Sequence, residues 1–259
     1  MAKPTALVLR AAGTNCDRET QFALEQAGFQ AERVHVFRLM ENPDRLQEAQ
    51  FLVIPGGFSY GDDVAAGKIL ANQMLHRLSE ALNAFLSAEK LVLGICNGFQ
   101  VMIKSGLLPR GHVAPEQAHR DVTLAWNDSG KFEDRWVHLR CDSDKCVFLP
   151  KGERIALPIA HGEGKFVPRD ETVLQALRDG DQAALRYVDT EGNAGPYPIN
   201  PNGSVDDIAA LCDPSGRALG LMPHPERFVD VTHHPKWTRC DIRRADGKLF
   251  FENAFRYFN

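Results

Sequence analysis

The chain has 259 residues, with 30 Lys and Arg against 34 Asp and Glu, a formal net charge of −4, an apolar share of 44% and a charged share of 25%. That balance excludes a disordered chain and leaves no basic footprint for nucleic acid or an anionic membrane. No apolar run approaches the roughly 18 residues of a membrane helix, and Ala6-Leu7-Val8-Leu9 is too short for a secretory core, so a soluble, cytoplasmic protein is expected.

Through the first hundred residues, short apolar runs alternate with helical stretches, the order that builds parallel strands joined by crossover helices. A strand is predicted over 5–9, a helix from Asp17 as N-cap to a stop at Gly28, and a strand over 32–37. The strand over 51–54 breaks at Pro55-Gly56-Gly57. A helix over 74–87, a buried strand over 91–95 and a helix over 98–105 follow. Beyond Asp121, the runs 122–126 and 132–140 flank Asn127-Asp128-Ser129-Gly130, which reads as the turn of an antiparallel hairpin. Strands over 155–159, 183–188, 208–212 and 218–222 and helices over 171–178 and 249–257 complete the core, while 228–248 is charge-rich and lacks periodicity. No repeat or linker divides the chain. Residues 1–259 therefore read as a single α/β domain: an open, mainly parallel sheet flanked by helices, with an antiparallel hairpin elaboration.

The sharpest chemical signal is Gly94-Ile95-Cys96-Asn97-Gly98, between a buried strand and a helix start. Glycines on either side of a nucleophile permit the tight turn that lifts it to the carboxyl edge of the sheet. The helix N-terminus then favours a thiolate, and the Asn97 N–H points where an oxyanion would form. From the pentapeptide alone, a small buried cysteine closing an apolar strand remains an open reading. Pro223-His224-Pro225-Glu226 follows another strand. In an extended segment residues two apart share a face, so Glu226 reaches His224 and fixes the imidazole as an acid–base. The result is a Cys96-His224-Glu226 triad. Gly56 and Gly57 let backbone N–H groups approach a ligand, with Gly57 as the second oxyanion donor.

His161-Gly162-Glu163-Gly164 suits a ligand loop and lacks the spacing of a zinc motif. Cys16 is a rival nucleophile, ranked below Cys96 because it lacks flanking glycines. The six cysteines form no C-x-x-C pair, and neither Cys141/Cys146 nor His233-His234 has a second ligand pair at diagnostic spacing. No disulfide and no metal is expected. There is no P-loop or G-x-G-x-x-G.

These segments, with Asn15-Cys16-Asp17-Arg18, Phe58-Ser59-Tyr60-Gly61-Asp62, Arg186-Tyr187-Val188-Asp189 and Asn200-Pro201-Asn202-Gly203-Ser204, resemble the class I glutamine amidotransferases over about residues 5–228, and within them the branch that serves purine biosynthesis. Arg10-Ala11-Ala12-Gly13 departs from the Pro-Gly that relatives often carry. The resemblance implies hydrolysis of L-glutamine, with Cys96, His224 and Glu226 catalytic and with Gly56, Gly57, Asn97, Gln100, His161, Gly162 and Glu163 as oxyanion or substrate contacts. It implies no cofactor in this chain. ATP and Mg are expected on a separate synthetase subunit that converts formylglycinamide ribonucleotide to formylglycinamidine ribonucleotide, with a small bridging subunit between the two. A glutaminase subunit for another synthetase, a cysteine hydrolase of the same fold and a catalytically silent binding subunit are the alternatives.

Overall fold

Phe51–Ile54 and Leu91–Ile95 are buried at every position, the condition of strands in the middle of a sheet covered on both faces. They are β3 and β4 in the computed structural model, which describes residues 3–114 and 121–259. The other strands are β1 (Thr5–Arg10), β2 (Gln30–His35), β5 (Val122–Ala125), β6 (Glu133–Cys141), β7 (Arg154–His161), β8 (Lys165–Pro168), β9 (Ala183–Val188), β10 (Ile208–Cys212) and β11 (Ala218–Leu221). Among the described residues, one sheet runs in the order β2-β1-β3-β4-β11-β10-β9-β6-β7. Its β2-to-β11 half is parallel and its β10-to-β7 half antiparallel.

The helices are α1 (Asp17–Ala27), α2 (Val36–Glu41), α3 (Arg45–Glu48), α4 (Lys68–Arg77), α5 (Ser79–Ser87), α6 (Asn97–Lys104), α7 (Leu107–Arg110), α8 (Glu171–Asp179) and α9 (Lys248–Tyr257). Helix α1 buries Asp17, Thr20, Ala23 and Leu24, a stripe of helical spacing, and packs on β1, β2 and α9. Helix α6 covers β3, β4 and β11. No helix among the described residues is long and apolar enough to cross a membrane.

The expected hairpin does not form. Strand β5 pairs with β8 in a separate two-stranded sheet, where Leu124 faces Phe166, whereas β6 joins the main sheet between β7 and β9. The Asn127-to-Gly130 segment connects two sheets, because Asn127 bonds to residues 161–164 and to Lys131. Three smaller differences have local causes. Strand β2 stops at His35, whose Nδ1 accepts from the Phe37 N–H at 3.3 Å and opens α2. The helix expected over 74–87 begins at Lys68 and breaks at Leu78 (φ −127°) into α4 and α5. Asp17 lies inside the first turn of α1, with Cys16 at the N-cap.

Candidate active site

Three neighbouring parallel strands, β3, β4 and β11, deliver the candidate groups from their carboxyl ends. Cys96 follows β4 with φ 52° and ψ −104°, a conformation strained for any residue with a Cβ, and is 7% exposed. Its N–H donates to the Leu221 carbonyl at 2.7 Å, fastening the elbow to the end of β11. Gly98 lets α6 start directly against β3, since a Cβ there would lie 1.8 Å from the Ile54 carbonyl oxygen. The Sγ of Cys96 faces the Ala160 carbonyl at 3.7 Å.

Gly57 follows β3 with φ 136°, and a Cβ there would press on Asn15 and Gly13. Among the described residues, neither the Gly57 nor the Asn97 N–H has a hydrogen-bond partner, so both remain available to an oxyanion. Gly56 lies against the His224 ring. The Gly57 loop is clamped to the loop carrying Arg10–Gly13: Phe58 N–H donates to Gly13 O at 3.0 Å, Tyr60 N–H to Ala12 O at 2.6 Å, and Cys16 N–H to Gly56 O at 3.3 Å.

His224 and Glu226 are each 1% exposed, with His224 Nδ1 2.7 Å from Glu226 Oε1. Glu226 reaches the ring through a 3₁₀ turn over Pro225–Arg227, which replaces the expected extended segment. The His224 N–H anchors to Pro158 O at 2.9 Å. Burial lowers the His224 pKa, but the Glu226 carboxylate and Cys96, helped by Cys16, more than reverse this and hold it well above the ordinary value. An imidazolium beside a thiolate is the form such a pair needs.

Cys16 also comes to this ring: its Sγ, a His224 ring nitrogen and a Glu226 carboxylate oxygen lie within 4.8 Å of one another. Burial raises its pKa, and its sulfur accepts from Arg227 Nη2 at 3.2 Å. It has an ordinary φ of −94° and no elbow. All six cysteines are free. Burial pushes Cys212 up to about 12.

The remaining predicted contacts form one network. Asn97 Nδ2 donates to Gln100 Oε1 at 2.9 Å and to Asp62 Oδ1 at 3.2 Å, and Gln100 Nε2 donates to the Glu163 carbonyl at 2.6 Å. These bonds tie α6 to the Gly57 loop on one side and to residues 161–164 on the other. Together the groups surround a cavity of about 290 Å³ lined by Cys96, Gln100, His161, Gly162, Glu163 and His224, with Cys16, Gly57 and Asp62 at its wall. Asn97 and Gly56 are not part of this lining: the Asn97 side chain bonds Gln100 and Asp62, and Gly56 lies against the His224 ring. Trp126 and Phe132, 66% and 54% exposed, stand at the mouth. Sequence reasoning missed these two and Asn127 because all three were assigned to a hairpin.

His161 is buried, and its pKa falls to about 3, first from burial and then from the charge of His224. Below the ordinary value of 6.5 the unfolded chain takes up a proton here that the folded chain refuses. Stability present above that pH is therefore lost as pH falls towards 3, by a total of about 5 kcal/mol. Urea unfolding across this range should show the loss, and His161→Asn, which cannot titrate, should flatten the slope.

Residues 3–258 match the family described as CobB/CobQ-like glutamine amidotransferase domain. A phosphoribosylformylglycinamidine synthase subunit PurQ from Dehalococcoides mccartyi is 43% identical over 260 residues, 99% of this chain and 98% of the relative. The subunit of the same name from Methanococcus maripaludis is 38% identical over 271 residues, again 99% and 98%. Among solved structures, a chain of PurLQS from Thermotoga maritima superposes over the full length of both chains with a TM-score of 0.75 and 33% identity.

Proposed function

The chain belongs to the CobB/CobQ-like glutamine amidotransferase family, and from that premise we propose that it is the glutaminase subunit of phosphoribosylformylglycinamidine synthase in purine biosynthesis. The observation that carries the reading is the meeting of the strained Cys96 elbow with the buried His224–Glu226 pair at adjoining strand ends, in a chain alike to PurQ subunits from end to end.

The Cys96 thiolate attacks the side-chain carbonyl carbon of L-glutamine, and the N–H groups of Gly57 and Asn97 receive the charge that develops on oxygen. The C–N bond breaks as His224, held by Glu226, gives its proton to the departing nitrogen, leaving a γ-glutamyl thioester and ammonia. The same imidazole then takes a proton from water, whose oxygen attacks the thioester. Glutamate leaves and the thiol is restored. Ammonia released into water would be protonated and unreactive, so it passes directly to a synthetase subunit, with a small further subunit joining the two, a reading supported by the likeness to a chain of PurLQS. ATP and Mg belong to that synthetase, and this chain's residues act without a cofactor.

An electrophilic glutamine analogue should modify Cys96, with glutamine protecting, as read by peptide mass spectrometry of the assembled complex. Modification of Cys16 in its place would overturn the assignment of the nucleophile.

A further inference from the structure

His161 closes β7, and the bonding of its side chain is directional. Its Nδ1 lies 3.1 Å from Asn127 Oδ1, an atom that also accepts from the Gly164 N–H at 3.2 Å. Asn127 Nδ2 is committed as a donor to the carbonyls of His161 at 2.8 Å and Lys131 at 2.9 Å, which fixes the orientation of the amide. The Asn127 N–H completes the grip on Gly162 O at 2.9 Å. Since Oδ1 can only accept, His161 Nδ1 must be the donor. The proton of the neutral ring is therefore on Nδ1, and Nε2 carries a bare lone pair.

Among the described residues that Nε2 is buried and has no hydrogen-bond partner, in a side chain 3% exposed. A buried acceptor left unmet is destabilising unless a ligand meets it. The residue shares the cavity wall with Cys96 and His224. The groups already assigned to the reaction serve the carbonyl side of the substrate: the sulfur takes the carbon and two N–H groups take the oxygen. Nothing yet serves the nitrogen's hydrogens.

We propose that His161 Nε2 accepts a hydrogen bond from the carboxamide N–H of glutamine and keeps it as the nitrogen leaves as ammonia, with Asn127 as the positioning residue that fixes the tautomer. This rests on the glutaminase reading of the same site. The lone pair selects an amide, which brings hydrogens, over glutamate, whose carboxylate would bring only oxygen lone pairs against it. The depressed basicity of this ring has a second consequence: His161 holds ammonia without protonating it, so the product stays nucleophilic.

The test compares two substrates in the full complex. Glutamine has an N–H on its reacting group; L-glutamate γ-methyl ester has none. His161→Asn keeps a donor where Nδ1 meets Asn127 but is too short to place an acceptor where Nε2 stood. Its kcat/KM for glutamine should fall about 10²-fold while ester hydrolysis changes less than about threefold. His161→Gln restores an acceptor near the position of Nε2 and should regain part of the amide activity without altering the ester rate. Equal losses on amide and ester in His161→Asn would reduce His161 to a structural role and overturn the proposal. If the wild-type complex hydrolyses neither substrate, it is the glutaminase reading that fails.

Discussion

Cys96→Ala should lower glutamine-dependent synthesis by about 10⁴–10⁶-fold, the scale on which removal of a covalent nucleophile acts, while synthesis from added ammonium salts in the same complex stays near the wild-type rate. The fold should survive. The substitution removes one small sulfur, which approaches Ala160 O at 3.7 Å and faces His224, and alanine can hold the φ of 52° about as well as cysteine does. The two halves of the result carry different information: loss of the glutamine reaction identifies the nucleophile, and survival of the ammonia reaction places the ligase chemistry on the partner. Side-by-side rates with the two nitrogen sources measure both. If the ammonia reaction vanished too, this subunit would be doing more than making ammonia.

Glu226→Gln should lower kcat about 10²–10⁴-fold with a much smaller change in KM. The carboxylate touches His224 and not the cavity wall, so its loss acts on the imidazole. With the charge gone, burial dominates and the His224 pKa drops from its raised value. A glutamine amide can also turn its NH₂ towards Nδ1 and reverse the tautomer, leaving the wrong nitrogen protonated on the Cys96 side. The pH–rate profile of kcat/KM reads this directly: the alkaline limb, set by the loss of the imidazolium proton, should move to lower pH. An unmoved limb would mean that Glu226 does not govern His224.

Much of this molecule is legible in the sequence where a single physical cause dominates. The strands over 51–54, 91–95, 183–188 and 208–212 match the observed bounds because each is apolar at most positions, with Arg186 the one charged exception, and buried at nearly every position. The nucleophile turn and the His224–Glu226 pair are legible because each is local, made by residues one to four apart. Partner choice between strands is another matter. Val122–Ala125 and Glu133–Cys141 look like neighbours, yet the longer strand finds eight paired positions on β7 and the shorter finds Phe166 on β8. That choice hid Asn127, whose role depends on a loop more than thirty residues away. The arrival of Cys16 beside His224 is equally tertiary, set by where the N-terminus of α1 meets the Gly57 loop.

The place of β11 in the sheet has a consequence for how the protein comes into being. This strand is the last in the chain, yet it lies in the middle of the sheet, between β4 and β10, and the base and its carboxylate follow it directly. During synthesis on the ribosome the Cys96 segment emerges more than a hundred residues before His224, with the elbow lacking the Leu221 carbonyl that fastens it. Until the closing strand slots in, the thiol has no base to arm it. A chain that stops short of β11 therefore carries the nucleophile without its base, and the arrival of this one strand both fastens the elbow and arms the thiol.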